Sequence, residues 1–143
     1  MLPEKLPTYT VRQLEDRASK FLSQHFGQSV PVPVDIDLLV EREGIDLDEW
    51  PKLRTNHGIE GGVWRDVESG QLYIYIAEEL MADESPRGYG RYRMTVAEEL
   101  AHIHLHRQVI EQIDSPDGFR ELHNHKQWGD VEQSLDAGLA YLA

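Results

Sequence analysis

Residues 91–108 read RYRMTVAEELAHIHLHRQ, a stretch without proline or glycine that predicts a helix of four or more turns, beginning near Arg91 or Tyr92. Within it Glu98, His102 and His106 recur every fourth position. At about 100° per residue each is displaced by only about 40° from the last, so the three share one face. A carboxylate and an imidazole one turn apart can both reach a single divalent ion. Glu99 follows the first of them directly and points beside such an ion rather than at it. The spacing is that of the His-Glu-x-x-His zinc helix, in which two ligands flank a general base, with a glutamate standing in the first position. Glu98 and His102 thus read as a ligand pair and Glu99 as the base that activates water; the competing reading is a run of solvated helix glutamates. His104 lies about 200° around the helix from His102 and belongs to the opposite face, as a packed or exposed histidine.

Working outward toward the N-terminus, QLYIYIA at 71–77 alternates Leu72, Ile74 and Ile76 with Tyr73 and Tyr75, the pattern of a half-buried strand. IEGGVW before it and the Glu68-Ser69-Gly70 turn between them predict an antiparallel hairpin. Trp64, Tyr73 and Tyr75 read as sheet surface and core rather than a substrate platform. GIDLDEW, stopped by Pro51, predicts an extended piece at a sheet edge. Upstream, Thr10 with Gln13 fits a capping box opening a helix that Gly27 ends. Two prolines in SVPVPV force an extended connector, and Asp35 caps a short second helix closed by Gly44. Gly88 and Gly90 punctuate the approach to the long helix. On the far side, residues 114–118 predict a loop, and VEQSLDAGLAYLA a final helix that stops mid-pattern, as though the natural chain ran on. Strands flanked by helices without βαβ alternation imply an α+β fold with a small antiparallel sheet of about three strands. The expected layout is one domain over 1–143: helices in 10–44, sheet at about 45–78, motif helix at about 91–107 and C-terminal helix at about 129–143.

The composition fits a single globular unit. The chain has 143 residues, 40% of them hydrophobic, with a net charge of −12 and no cysteine. Disulfides, thiolate nucleophiles and cysteine-bound zinc are therefore excluded. No stretch has the apolar length of a membrane span, and MLPEKLPTYT lacks the apolar core of a secretory signal, so the expected location is cytoplasmic. Scattered basic residues on an acidic chain disfavour direct nucleic-acid binding and suit a basic protein partner. The His123-Asn124-His125 string is no HNH nuclease signature, because the residues of that motif lie far apart in sequence.

The run RYRMTVAEELAHIHLH resembles the signature of the ImmA/IrrE metallopeptidases, approximately R-x-R-F-T-x-A-H-E-x-x-H-x-x-L-H. Arg91, Arg93, Thr95, Ala97, Glu99, His102, Leu105 and His106 match it, and Met94 stands where phenylalanine is usual. VPVDIDLLVEREGI is similar to the family's P-V-D-I-x-x-L-A-x-x-x-G-I, and Val131-Glu132 with Asp136 looks like its I-E-x-x-A-[ND]. The resemblance covers roughly residues 10–143 and implies a zincin-like fold. It implies a metal held by Glu98, His102 and Glu132, with Glu99 as catalytic base and His106 and Asp136 as second-shell candidates. The implied activity is metal-dependent cleavage of a regulatory protein such as a helix-turn-helix repressor. Two departures stand out: the family's first ligand histidine is Glu98 here, and Leu135 and Gly138 replace its usual alanine and phenylalanine. Two carboxylates and one imidazole bind zinc but also suit manganese or iron. A more negative ligand set makes a poorer Lewis acid, so the alternative is a catalytically weak or inactive module that binds a regulator.

Overall fold

The computed structural model describes residues 10–28 and 35–123. The expected helix at 129–143, with Glu132 and Asp136, lies outside the described residues. Helix α1, Val11–Phe26, opens with the reciprocal cap read from sequence: the Gln13 amide donates to Thr10 Oγ1 at 3.2 Å, and the Thr10 amide donates to Gln13 Oε1 at 2.8 Å. Leu14, Ala18 and Leu22 form its buried face. Helix α2, Ile36–Arg42, is capped by Asp35, which accepts from the Leu38 amide at 3.1 Å. The chain then turns through Gly44 (φ +69°) into strand β1, Asp46–Trp50. A single π-helical turn, Leu53–His57, leads to strands β2, Gly61–Arg65, and β3, Leu72–Ala77.

These strands form one three-stranded sheet among the described residues, in the order β1-β3-β2. β2 and β3 make the expected antiparallel hairpin, but β1 runs parallel to β3, so the sheet is mixed rather than antiparallel. The residues account for the strand order: DLDEW, with three acids in five residues, belongs at an edge, whereas β3 is the most apolar strand and takes the centre. The parallel direction comes from the long-range pairing of Asp46 with Tyr73. β3 also departs from the half-buried pattern, since Ile74, Tyr75, Ile76 and Ala77 are all buried. Both of its faces are covered. Gly61 and Val63 of β2 turn with Ile74 and Ile76 toward the long helix. Gly62 and Trp64 turn the other way with Tyr75, where Trp50 stands edge-on at 5.0–5.2 Å and Trp64 stacks on Tyr75 at 4.6 Å.

After the short helix α3, Glu78–Met81, helix α4 runs Pro86–Ile110 and α5 runs Pro116–His123. Helix α4 starts five residues before Arg91, and α5 begins inside the expected loop at 114–118. One motif explains both corrections: Ser85-Pro86-Arg87-Gly88 and Ser115-Pro116-Asp117-Gly118. In each, the serine hydroxyl accepts from the glycine amide at 3.0 Å, and proline occupies the first turn, where its missing N–H costs nothing. Proline and glycine that read as breakers are here the opening turn of a helix. Gly88 is required at its place, because a Cβ there would stand 2.6 Å from the Asp83 carbonyl oxygen. Asp83 in turn accepts from the Ser85 hydroxyl at 2.6 Å and from its amide at 3.0 Å. No helix among the described residues is long and apolar enough to cross a membrane.

Gly88 and Gly90 separate the two roles of helical glycine. A Cβ at Gly90 meets nothing within 4 Å. Gly90→Ala is therefore expected to stabilise the protein by about 0.5–1 kcal/mol, the usual helix-interior gain. Gly88→Ala is expected to destabilise it by about 1–3 kcal/mol through overlap with Asp83. Urea unfolding midpoints of the two variants, moving in opposite directions from wild type, check this; two stabilised variants would refute the cap geometry.

Candidate metal centre

Helix α4 crosses the sheet at a point fixed by size. A Cβ on Gly61 would stand 2.6 Å from Thr95 Cγ2, so the absence of a side chain on β2 sets how near the helix approaches. From Thr95 the same face continues through Glu99, His102 and His106, at helical steps of four, three and four. Their exposures are 2, 0 and 2% for Glu99, His102 and His106, the polar or charged side chains most fully buried among the described residues. Carboxylates and imidazoles are seldom buried to this degree, and three in succession on one helix face mark the row as a candidate site.

His102 and His106 meet Nδ1 to Nδ1 at 3.5 Å, their ring centroids 5.6 Å apart. At His106 the backbone leaves the helical region (φ −132°, ψ 28°), and α4 continues beyond it to Ile110. Glu98, half-buried, occupies the adjacent row one turn before His102. The structure thus brings Glu99, His102 and His106 onto one buried face. Glu132 and Asp136 fall outside the described residues, and among the described residues no three His, Asp or Glu side chains form a group fit to hold a metal. His104 takes the opposite side as expected, its Nε2 2.7 Å from Glu43 and its ring edge-on to Phe21.

The start of α4 is held by a carboxylate that the motif reading missed. Glu60 accepts from Arg54 through Nε and Nη2, both at 2.7 Å, and from Arg91 Nη2 at 3.0 Å. Arg91, a motif position, therefore acts at the helix anchor. Hydrogen bonding to Glu60 also raises the Arg54 guanidinium above its ordinary range. Arg54 sits on the π-helical turn, whose amides are gripped from α3. Lys52 N donates to Glu78 at 3.0 Å and Thr55 N to Glu79 at 2.8 Å, with the Thr55 hydroxyl on the same Glu79 oxygen at 2.5 Å. The Thr55 hydroxyl and nearby amides hold the Glu79 carboxyl down at about 2. A further tie, Tyr92 hydroxyl to Asp37 at 2.7 Å, joins α4 to α2. These partners lie 6 to 55 residues apart, and local patterning carries no signal for them.

No protein-family model matches this chain, and no curated protein or solved structure does so either.

The Glu79 brace has a pH signature. Its carboxyl is lowered from 4.5 to about 2 on folding, so the stability it lends is complete above the unfolded value and is lost as pH falls through the folded one. Glu79→Gln is expected to lower stability at neutral pH and to flatten the stability–pH curve between 4.5 and about 2. Denaturation midpoints measured across that window check it, and identical slopes for both proteins would exclude the brace.

Proposed function

We infer that the protein is a zincin-like metallo-endopeptidase of the ImmA/IrrE kind, acting in the cytoplasm on a regulatory protein such as a helix-turn-helix repressor. The observation that carries this reading is the burial of Glu99 and His102 on one face of α4, in the Glu-x-x-His spacing that places a base beside a ligand. The donor chemistry fits a divalent cation: a buried imidazole supplies a nitrogen, and carboxylates supply compensating charge. Glu98, His102 and Glu132 would hold the ion, which is zinc or, given two carboxylates, manganese or iron. Once bound it would supply Lewis-acid polarisation of the scissile carbonyl.

The chain's own residues would do the rest. Glu99, which is not a ligand in this reading, takes the proton of the attacking water and returns it to the leaving amine. Its burial keeps bulk water away from the carboxylate. The net charge of −12 suits a basic, DNA-binding substrate. Lack of cysteine agrees with a reducing compartment.

One residue favours a second reading, a module that binds its regulator without cutting it. Glu98 stands where the resemblance has histidine, and an anionic donor leaves the ion less able to acidify water. Two substitutions separate the readings. Glu99→Gln keeps shape and metal content and is expected to lower peptidase rate by about 10²–10⁴-fold. Glu98→His is expected to tighten zinc binding and raise any peptidase activity. Cleavage of a co-encoded repressor, assayed with and without chelator, checks the first, and elemental analysis with zinc titration the second. Repressor inactivation undiminished in Glu99→Gln supports the binding module; unchanged zinc affinity in Glu98→His removes Glu98 from the ligand set.

A further inference from the structure

The two buried imidazoles of α4 meet through like-named nitrogens, and that narrows what each ring can do. His102 Nδ1 and His106 Nδ1 are 3.5 Å apart, with the ring planes inclined at 42°. At 0 and 2% exposure the contact is shielded from water. Two neutral imidazole nitrogens attract at this distance only if one carries the proton and the other a lone pair, because each neutral ring has one of each. With Nδ1 engaged by His106, His102 offers a cation only Nε2. A nitrogen that binds a cation must be bare, and a neutral ring with bare Nε2 carries its proton on Nδ1. That proton needs an acceptor, and His106 Nδ1 stands where one is required. Ligating histidines are commonly oriented through the ring nitrogen that faces away from the metal.

We propose that His106 is the positioning residue of this centre: it accepts the Nδ1–H of His102, fixes that ring in the Nδ1–H tautomer and leaves Nε2 as its cation-binding nitrogen. His106 then carries its own proton on Nε2. The departure of the backbone from helical angles at His106 makes its ring placement a local feature of α4 rather than a product of regular helical stacking. His104 cannot substitute, since it faces Glu43 across the helix at 2.7 Å. The ligand role of His102, and with it the choice of which ring donates across the contact, rests on the metallopeptidase reading; the tautomer itself can be observed with or without metal.

The test has two arms. In nitrogen-15 imidazole correlation spectra of the whole chain at about pH 8, where ordinary imidazoles are neutral, His102 is expected to be protonated at Nδ1 and bare at Nε2. A proton on His102 Nε2, metal-free and zinc-loaded alike, overturns the proposal. In zinc titrations, His106→Ala is expected to bind about 10–100-fold more weakly than wild type. His106→Asn, whose Oδ1 occupies the place of Nδ1 as an acceptor, is expected to recover most of that loss, with both variants checked for native melting. Equal affinity in all three proteins, or equal loss in both variants, overturns it. A chain that takes up no metal but shows Nδ1–H on His102 upholds the tautomer lock and counts against the metallopeptidase reading instead.

Discussion

The contact between Gly61 and Thr95 is the constraint on which the rest depends. Any side chain on Gly61 would overlap the Thr95 methyl, at 2.6 Å from a built Cβ. Moving α4 outward to relieve that overlap would loosen the core that holds Val63, Ile74 and Ile76 of the sheet and Val96 and Leu100 of the helix, all of them at 0–1% exposure. The same movement would open the row that starts at Thr95 and runs on to His106. Fold and candidate site are thus set by one close approach. The neighbouring residue repeats the device on the other face, where a Cβ on Gly62 would stand 2.7 Å from both Trp64 and Phe119. Adjacent glycines on one strand let helices close on both sides of it, since successive strand residues face opposite ways.

Carboxylates extend this control to the start of α4. Glu60 draws Arg54 and Arg91 together, Glu78 and Glu79 collect the amides of the π-helical turn, and Asp83 organises the Ser85 cap. An acidic chain spends part of its negative charge on accepting backbone and guanidinium hydrogens. Charge-assisted bonds of this kind are roughly twice as strong as neutral ones. The acidity read from composition as suited to a basic partner is in part engaged in hydrogen bonds within the chain.

What was legible from sequence divides along the same lines. The Thr10 cap, the edge position of DLDEW, the β2–β3 hairpin and the shared face of His102 and His106 all depend on neighbours a few residues apart, and each is found. The parallel alignment of β1 is set by a pairing of Asp46 with Tyr73 across 27 positions, for which alternation carries no information. The two Ser-Pro-x-Gly starts are different: their signal is local, but proline and glycine have two meanings. The serine before and the amide after decide which applies. For the site, spacing placed Glu98, His102 and His106 on one face with Glu99 beside it, whereas the structure buries His102 and His106 together with Glu99 and leaves Glu98 half-buried; Glu132 and Asp136 lie outside the described residues.

The burial of α4 explains why its ionisable face was hard to weigh from spacing alone. A surface helix shows one apolar stripe, but the second half of α4 is buried nearly all round, and His104, Arg107 and Gln108 are its exposed positions before Glu111. The mean direction of those three lies roughly opposite to the row of Glu99, His102 and His106 at about 100° per residue. The ionisable row therefore faces inward, where solvation by water is least available. A side chain that needs a proton, a hydrogen bond or a cation in order to be stable must take it from the protein or its ligand in that position. Burying ionisable groups there costs stability unless each finds a partner, and the contact of His102 with His106 at 3.5 Å is one such partnership within the helix itself.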